Sequence, residues 1–447
     1  MSSYVTSINF RTEADVLETV FSVLRKYQHE DYYAYERGGN WYIGIKSKDS
    51  MVIDSKGETV TIVRPSSQIS RPLGRSSITD VMREFVSEGT KAGYKIFGLV
   101  GFNFAAKIRG QHFTPGSWPL IALLVPRIEI TLHQQSITIR GDDEEEVKAL
   151  HHSIRHGINN CDFTSSQNVY PIDTDVNKET YITGVGKALD DISVGRYTKI
   201  IPSRALDINH KIDMQATLLA GRQSNNPARS FSISHAGYQA TGFSPELVMS
   251  AKNGKIVTEP LAGTRSAKGT REHVERLRNE LLSDPKEIVE HIISVKEAIQ
   301  ELQQVCSSDT VKVDDLMSIR ERGSVQHLGS SVSGILSSEK DMWDAFNVLF
   351  PSITASGIPK NAAIDGIQRL EERPRELYSG AILLIENSDS LEAALVLRTV
   401  FQDESRGWIQ AGAGVISQSN PQRELIETRE KLASIAPFIV LDARNGK

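Results

Sequence analysis

Cysteine is nearly absent: Cys161 and Cys306 are the only two in 447 residues, far apart and outside any CxxC spacing. That argues against disulfide stapling and against a thiolate metal cluster. Long apolar runs are missing as well. No stretch approaches the ~18 residues of a membrane span, and the start, "MSSYVTSINFRTEADVLETV", lacks a basic-then-apolar leader. A cytoplasmic protein is expected. Positive charge is not in excess, since 51 Lys and Arg face 56 Asp and Glu. Neither nucleic acid nor an anionic membrane is therefore an expected partner. Nucleotide fingerprints are lacking too: no GxGxxG opens a helix after a strand, and no GxxxxGK[ST] occurs. Repeats and low-complexity tracts do not occur.

What is present is ordinary globular composition, 39% hydrophobic and 24% charged, enough for a large core. Val16, Leu17, Val20, Phe21 and Leu24 space an amphipathic helix over 13–27, and "YYAYE", "WYIGI" and "TVTIV" read as a strand meander. A helix at 78–89 precedes two apolar strands, "KIFGLVGFNFAA" and "PLIALLVPRIEITL". The acidic, polar stretch 142–177 predicts one helix and an exposed connection, the best candidate boundary. Beyond it, helices are expected at 178–194 and, unbroken, at 271–303. Strands are expected at 197–206, 229–241, 245–258, 379–386, 391–401 and 407–411. Asn420 and Pro421 open a last helix as cap and first turn. Grouped strands and helices favour α+β with mostly antiparallel sheet.

Two acidic spacings stand out. Glu287 and Glu290 lie three apart in "LLSDPKEIVEHIISVKEAIQEL", and Glu424 and Glu427 repeat this in "RELIETREKL". Each pair falls on one helical face. Either face alone reads as a solvated surface, with Glu427 and Lys431 as an i,i+4 ion pair. Together they have a second reading, two faces around one hard cation such as Mg²⁺, which prefers carboxylate oxygen and water. "EIVEH" lacks HExxH spacing, so His291 is read as structural and zinc is not expected. Glycine-rich turns at 258–269, 320–330, 351–360 and 410–416 would each, alone, be plain turns, although such turns let backbone N–H groups approach a carboxylate.

These turns share a vocabulary. "EPLAGTR", "DPKEIVEH", "RERGSVQHLGS", "FPSITASGIPK", "LYSGAI", "QAGAGVI" and "RELIETREKL" together resemble the chorismate-utilising enzymes, in family order over about 180–440. "GFNFAA" and "WYIGI" extend the likeness into the first third. The resemblance implies a large single-unit α+β fold over 1–447, with two mostly antiparallel sheets forming a layered core and helices outside. Residues 1–175 would contribute strands and helices to the core, and 176–447 would form the chorismate-binding catalytic region.

It also implies roles. Glu290 and Glu424 would ligate Mg²⁺, with Glu287 and Glu427 alongside; a cation between carboxylates lets the pocket accept a dianion. Lys199 in "GRYTKII" stands where ammonia-using members carry an amide, and as a base toward water it makes water the nucleophile. Ala262 stands where aminodeoxychorismate synthases need a nucleophilic lysine. Glu246 in "TGFSPELVMS" would be the acid for the departing hydroxyl, so it must be protonated while Lys199 is neutral. Tyr378, Arg398 and the Gly412 backbone would hold the enolpyruvyl carboxylate. Gly263, Thr264, Thr354, Lys431 and His327 would complete the substrate contacts. The branch most resembled is salicylate synthase: chorismate to isochorismate, then pyruvate elimination. Its product commonly feeds siderophore assembly. An isochorismate synthase and a non-catalytic chorismate-binding protein are the alternatives. With water as nucleophile no glutamine amidotransferase subunit is expected, and the chain is expected to be a monomer.

Overall fold

The computed structural model describes residues 3–9, 16–74, 76–156, 170–323 and 325–442. Cys161 lies outside them, and Cys306 is buried and unpaired.

Alternation along the strands decides the architecture. In Tyr32–Arg37, Tyr33 and Tyr35 enter one apolar cluster while Tyr32 and Ala34 enter another. In Ile121–Leu132, Ala122 and Leu124 join the Tyr33 cluster, whereas Ile121, Leu123 and Val125 join a third. The shared cluster is rich in aromatics, including Phe97, Trp118, Phe231, Phe401 and Trp408, and forms the inner layer. The other two clusters lie beneath helices on the outer faces, where Val81, Phe85 and Phe346 pack on one side and Val20, Leu24 and Leu150 on the other. Helix, sheet, sheet and helix thus stack in layers.

The two expected sheets are halves of one curled, antiparallel sheet. One half runs through Ser203–Ile208, Gly407–Gly412, Thr399–Gln402, Tyr238–Ser244, Arg229–His235 and Tyr32–Arg37. The other runs through Ile96–Val100, Ala381–Asn387, Ser390–Leu395, Leu247–Lys252, Lys255–Thr258 and Val325–Ile335. Asn40–Ile53 and Ile121–Leu132 are long enough to belong to both, and their register shifts between Ser47 and Asp49 at the crossover.

Several expected elements are divided. The helix over 271–303 is two, Arg271–Ser283 and Pro285–Leu302, because Pro285 holds Asp284 in extended backbone (ψ 115°) and the Asp284 carboxylate caps the second helix. The strand at 245–258 is a hairpin turned by Asn253 and Gly254, both at positive φ. That at 229–241 likewise turns at Ala236 and Gly237. The strand at 391–401 breaks before Thr399, with Arg398 at φ 52°. This last break sets the direction of Arg398, one of the expected substrate contacts.

Candidate active site

The helices Pro285–Leu302 and Pro421–Leu432 bring their acidic faces to the strand ends Leu261–Ser266, Val325–Ile335 and Gly407–Gly412. Between them lies a cavity of about 700 Å³, its open mouth included. All eight expected substrate contacts line it: Gly263, Thr264, His327, Thr354, Tyr378, Arg398, Gly412 and Lys431. Glu246, Glu290 and Glu427 line it as well. Lys199, Glu287 and Glu424 lie behind this wall, all buried.

Glu246 is 1% exposed, and burial pushes its carboxyl up to about 8, so it is protonated at neutral pH. Ser352 Oγ donates to its Oε1 at 2.6 Å, while Oε2 has no partner. Across the site Lys199, in the short strand Lys199–Ile200, is 1% exposed; its Nζ lies 3.0 Å from Glu290 Oε1 and donates to Ser294 Oγ at 3.0 Å. The lysine is held in the interior and does not reach bulk water.

Arg398 is buried, and no carboxylate stands within ion-pair distance of it among the described residues. It donates instead to the Arg322 carbonyl at 3.1 Å and to His327 Nε2. Burial, then the nearby Arg322 charge, lowers its guanidinium to about 9. His327 is correspondingly neutral: burial and Arg398 hold it well below the usual range, and with Nε2 accepting, Nδ1–H faces the Gly263 carbonyl at 3.0 Å. A buried guanidinium without a counter-ion, facing a cavity, is costly unless an anion completes it.

Each of the four glutamates is met by a cation of its own. Glu290 faces Lys199; Arg265 Nη1 lies 3.1 Å from Glu287 Oε1, Lys286 Nζ 3.1 Å from Glu424 Oε1, and Lys431 Nζ 2.8 Å from Glu427 Oε1. No three acidic, histidine or cysteine side chains stand together as a ready-made metal site among the described residues, although Glu290 and Glu427 lie close enough to Glu287 for their charges to act on it. Burial raises Glu287, and burial with the charge of Glu427 raises Glu424; burial opposes ionisation of Glu427 too, but Lys431 and Lys286 outweigh it and hold that group low. The donor set still fits a hard cation. Oε2 of Glu287 and Oε2 of Glu424 are buried oxygens without hydrogen-bond partners, the condition an oxygen-seeking ion satisfies. Glycine keeps the space open: a Cβ on Gly414 would lie 2.3 Å from Glu290 Oε1, and one on Gly263, at φ 69°, 2.7 Å from Glu287 Oε2.

A model of chorismate binding enzymes matches residues 29–437. The chain belongs to that family. It is 37% identical over 437 residues to the salicylate synthase of Mycolicibacterium paratuberculosis (strain ATCC BAA-968 / K-10), covering 96% of this chain and 94% of the relative. In fold it is similar to anthranilate synthase component I from Streptococcus pneumoniae TIGR4 (TM-score 0.76, 22% identity, 90% and 92% of the two chains). It is also similar to the menaquinone-specific isochorismate synthase of Escherichia coli (TM-score 0.71, 20% identity, 98% and 94%). No helix among the described residues is long and apolar enough to cross a membrane.

The motifs also contain supporting residues whose roles only the fold reveals. Ser352 of "FPSITASG" holds Glu246, and Ser294 holds Lys199. Arg375 is fully buried, donates at 2.8 Å to the Ala355 carbonyl and also to that of Ile201, and so ties together two loops of the cavity wall. Arg265 and Lys286 sit inside quoted motifs but are paired only through the fold. His291 is buried with Nε2 2.6 Å from Ser330 Oγ.

Proposed function

We propose that this chain converts chorismate to isochorismate and then, in the same cavity, to salicylate and pyruvate. The observation that carries the reading is a buried guanidinium without a counter-ion, Arg398, opening on the cavity whose acid, Glu246, is held protonated. A planar fork of donors suits a substrate carboxylate, and a carboxylic acid that is neutral at pH 7 can protonate a departing hydroxyl. Lys199, fixed by Glu290 and Ser294, acts as the base in its neutral form: once it has lost the proton that pairs it with Glu290 in the resting site, its free amine takes the proton of the water that attacks ring C2. Glu246 gives its proton to the C4 hydroxyl, which leaves as water. One water enters and one departs, so the product is an isomer.

The elimination needs no further base. The C2 hydrogen passes to the enolpyruvyl methylene, the C3–O bond breaks, and pyruvate leaves as the ring becomes aromatic. Here the protein's part is to hold the side chain over the ring, a task for Arg398, Tyr378 and the Gly412 backbone, which line the cavity. Glu287, Glu290, Glu424 and Glu427 are the residues that would hold Mg²⁺, whose charge would draw in a substrate carboxylate. Water as nucleophile makes an amidotransferase partner unnecessary, and a monomer suffices.

The test is incubation of the purified chain with chorismate and Mg²⁺, with and without EDTA. Salicylate fluorescence with equimolar pyruvate, abolished by EDTA, is expected. Isochorismate without pyruvate would reassign the chain to isochorismate synthesis, and ligand binding without consumption would make it a binding protein.

A further inference from the structure

The charges around the acidic faces are already balanced, which matters for any divalent ion that binds there. Four glutamates face four cationic side chains, with Arg265 additionally shared by Asp284 at 2.7 Å. A divalent ion entering alone would leave the cluster with an excess of positive charge in a buried region, where such an excess is costly. A ligand carrying two carboxylates restores the balance.

Of the four cations, Lys286 is the least tied. Lys199 and Lys431 each make a second fixed contact, to Ser294 Oγ and to the Gly412 carbonyl, and Arg265 is held by Asp284 and the Thr264 carbonyl. The Lys286 ammonium has one such partner, Glu424 Oε1 at 3.1 Å. It nevertheless stands between the two acidic faces, one residue before Glu287 on one helix and against the Glu424 carboxylate of the other. It is the cation that a divalent ion would have to compete with.

We propose that Lys286 is an internal counter-ion that makes divalent-cation binding depend on the arrival of a dicarboxylate. Its ammonium keeps the acidic faces together in the empty enzyme, resists Mg²⁺ alone, and yields when the substrate adds negative charge. This rests on the proposed metal-dependent reading of the site, and it concerns a residue to which that reading gives no task. Energetic coupling between two ligands commonly amounts to about 5- to 150-fold in affinity, and about tenfold or more is expected here.

The experiment is calorimetric titration of Mg²⁺ into the full chain, with and without chorismate, in a Glu246→Gln background that blocks turnover. Chorismate should tighten Mg²⁺ binding about tenfold or more. Adding Lys286→Met should tighten binding of Mg²⁺ alone by a similar factor, shrink the coupling, and lower the melting temperature of the metal-free protein. Lys286→Arg, which keeps the charge, should retain the coupling and shows that the position tolerates substitution. Tight Mg²⁺ binding that ignores both chorismate and Lys286 would overturn this inference and leave the metal site standing. No Mg²⁺ binding under any condition would overturn both.

Discussion

Glu246→Gln should make the protein more stable while removing its activity. The carboxyl sits at about 8 in the folded chain against an ordinary 4.5, so between those values the folded state binds a proton that the unfolded state has released. Stability therefore falls as pH rises through that window, and the loss is complete above the folded value. At 1.36 kcal/mol per pH unit the full penalty is about 5 kcal/mol, of which about 3 kcal/mol is already present at pH 7. The amide of the variant cannot ionise and escapes it. The substitution keeps an acceptor for Ser352 Oγ and exchanges one O–H without a partner for an NH2 with two such donors, a cost of about 1–3 kcal/mol that leaves the pH dependence as the clean signal.

Urea unfolding at pH 5, 7 and 9 reads this directly. Relative to the wild type, the variant should gain several kcal/mol in stability between pH 5 and pH 9. In the same preparations chorismate consumption should be lost in the variant, and kcat/KM of the wild type should decline above about pH 8 as the acid ionises. A variant no more stable than wild type at pH 9 would refute the claim that burial holds this carboxyl neutral. One that is stabilised and still turns over at the wild-type rate would refute its role as acid.

Four further outcomes are expected. Lys199→Gln should lower the hydration rate by about 10²- to 10⁴-fold, the usual worth of a positioned base, with circular dichroism unchanged; product assays in ammonium should show no anthranilate from the wild type. Arg398→Lys keeps a charge but loses the fork, and steady-state kinetics should show KM for chorismate raised about 10- to 100-fold, corresponding to ~1.5–3 kcal/mol for charged hydrogen bonds. Gly414→Ala would set a methyl 2.3 Å from Glu290 Oε1; Mg²⁺ titration in the presence of chorismate should show clearly weakened binding by a protein that melts normally, and unchanged affinity would place the ion elsewhere.

How much of this is legible in the chain depends on the range of the signal. The ExxE spacings are local and periodic, so Glu287, Glu290, Glu424 and Glu427 can be placed on helical faces before any coordinates. The Asp284–Pro285 break and the Asn253–Gly254 turn are also written locally, as a cap before a proline and as a hairpin dipeptide, but apolar periodicity runs on through both and masks them. Arg398 is different. A non-glycine residue at φ 52° is held there by its surroundings, and nothing in "LVLRTV" signals that the strand ends at that point. Lys199 can be found by likeness, but its 1% exposure and its pairing with Glu290 come from elements about ninety residues apart meeting in the fold.

The same distinction explains why the acidic faces suggest a metal site and the structure displays ion pairs. Carboxylate spacing along a helix is fixed by 3.6-residue geometry, whereas counter-charge is fixed by whichever lysine or arginine the tertiary packing delivers. Arg265 arrives from a strand, Lys286 from the turn that Pro285 creates, and Lys199 from a strand of two residues. A cavity that is neutral around its glutamates and positive at Arg398 has little attraction for a lone cation, and it retains one unmet demand for an anion. On the proposed reading, substrate is the component that the resting site would admit first, and the divalent ion the component whose entry the substrate's charge would favour.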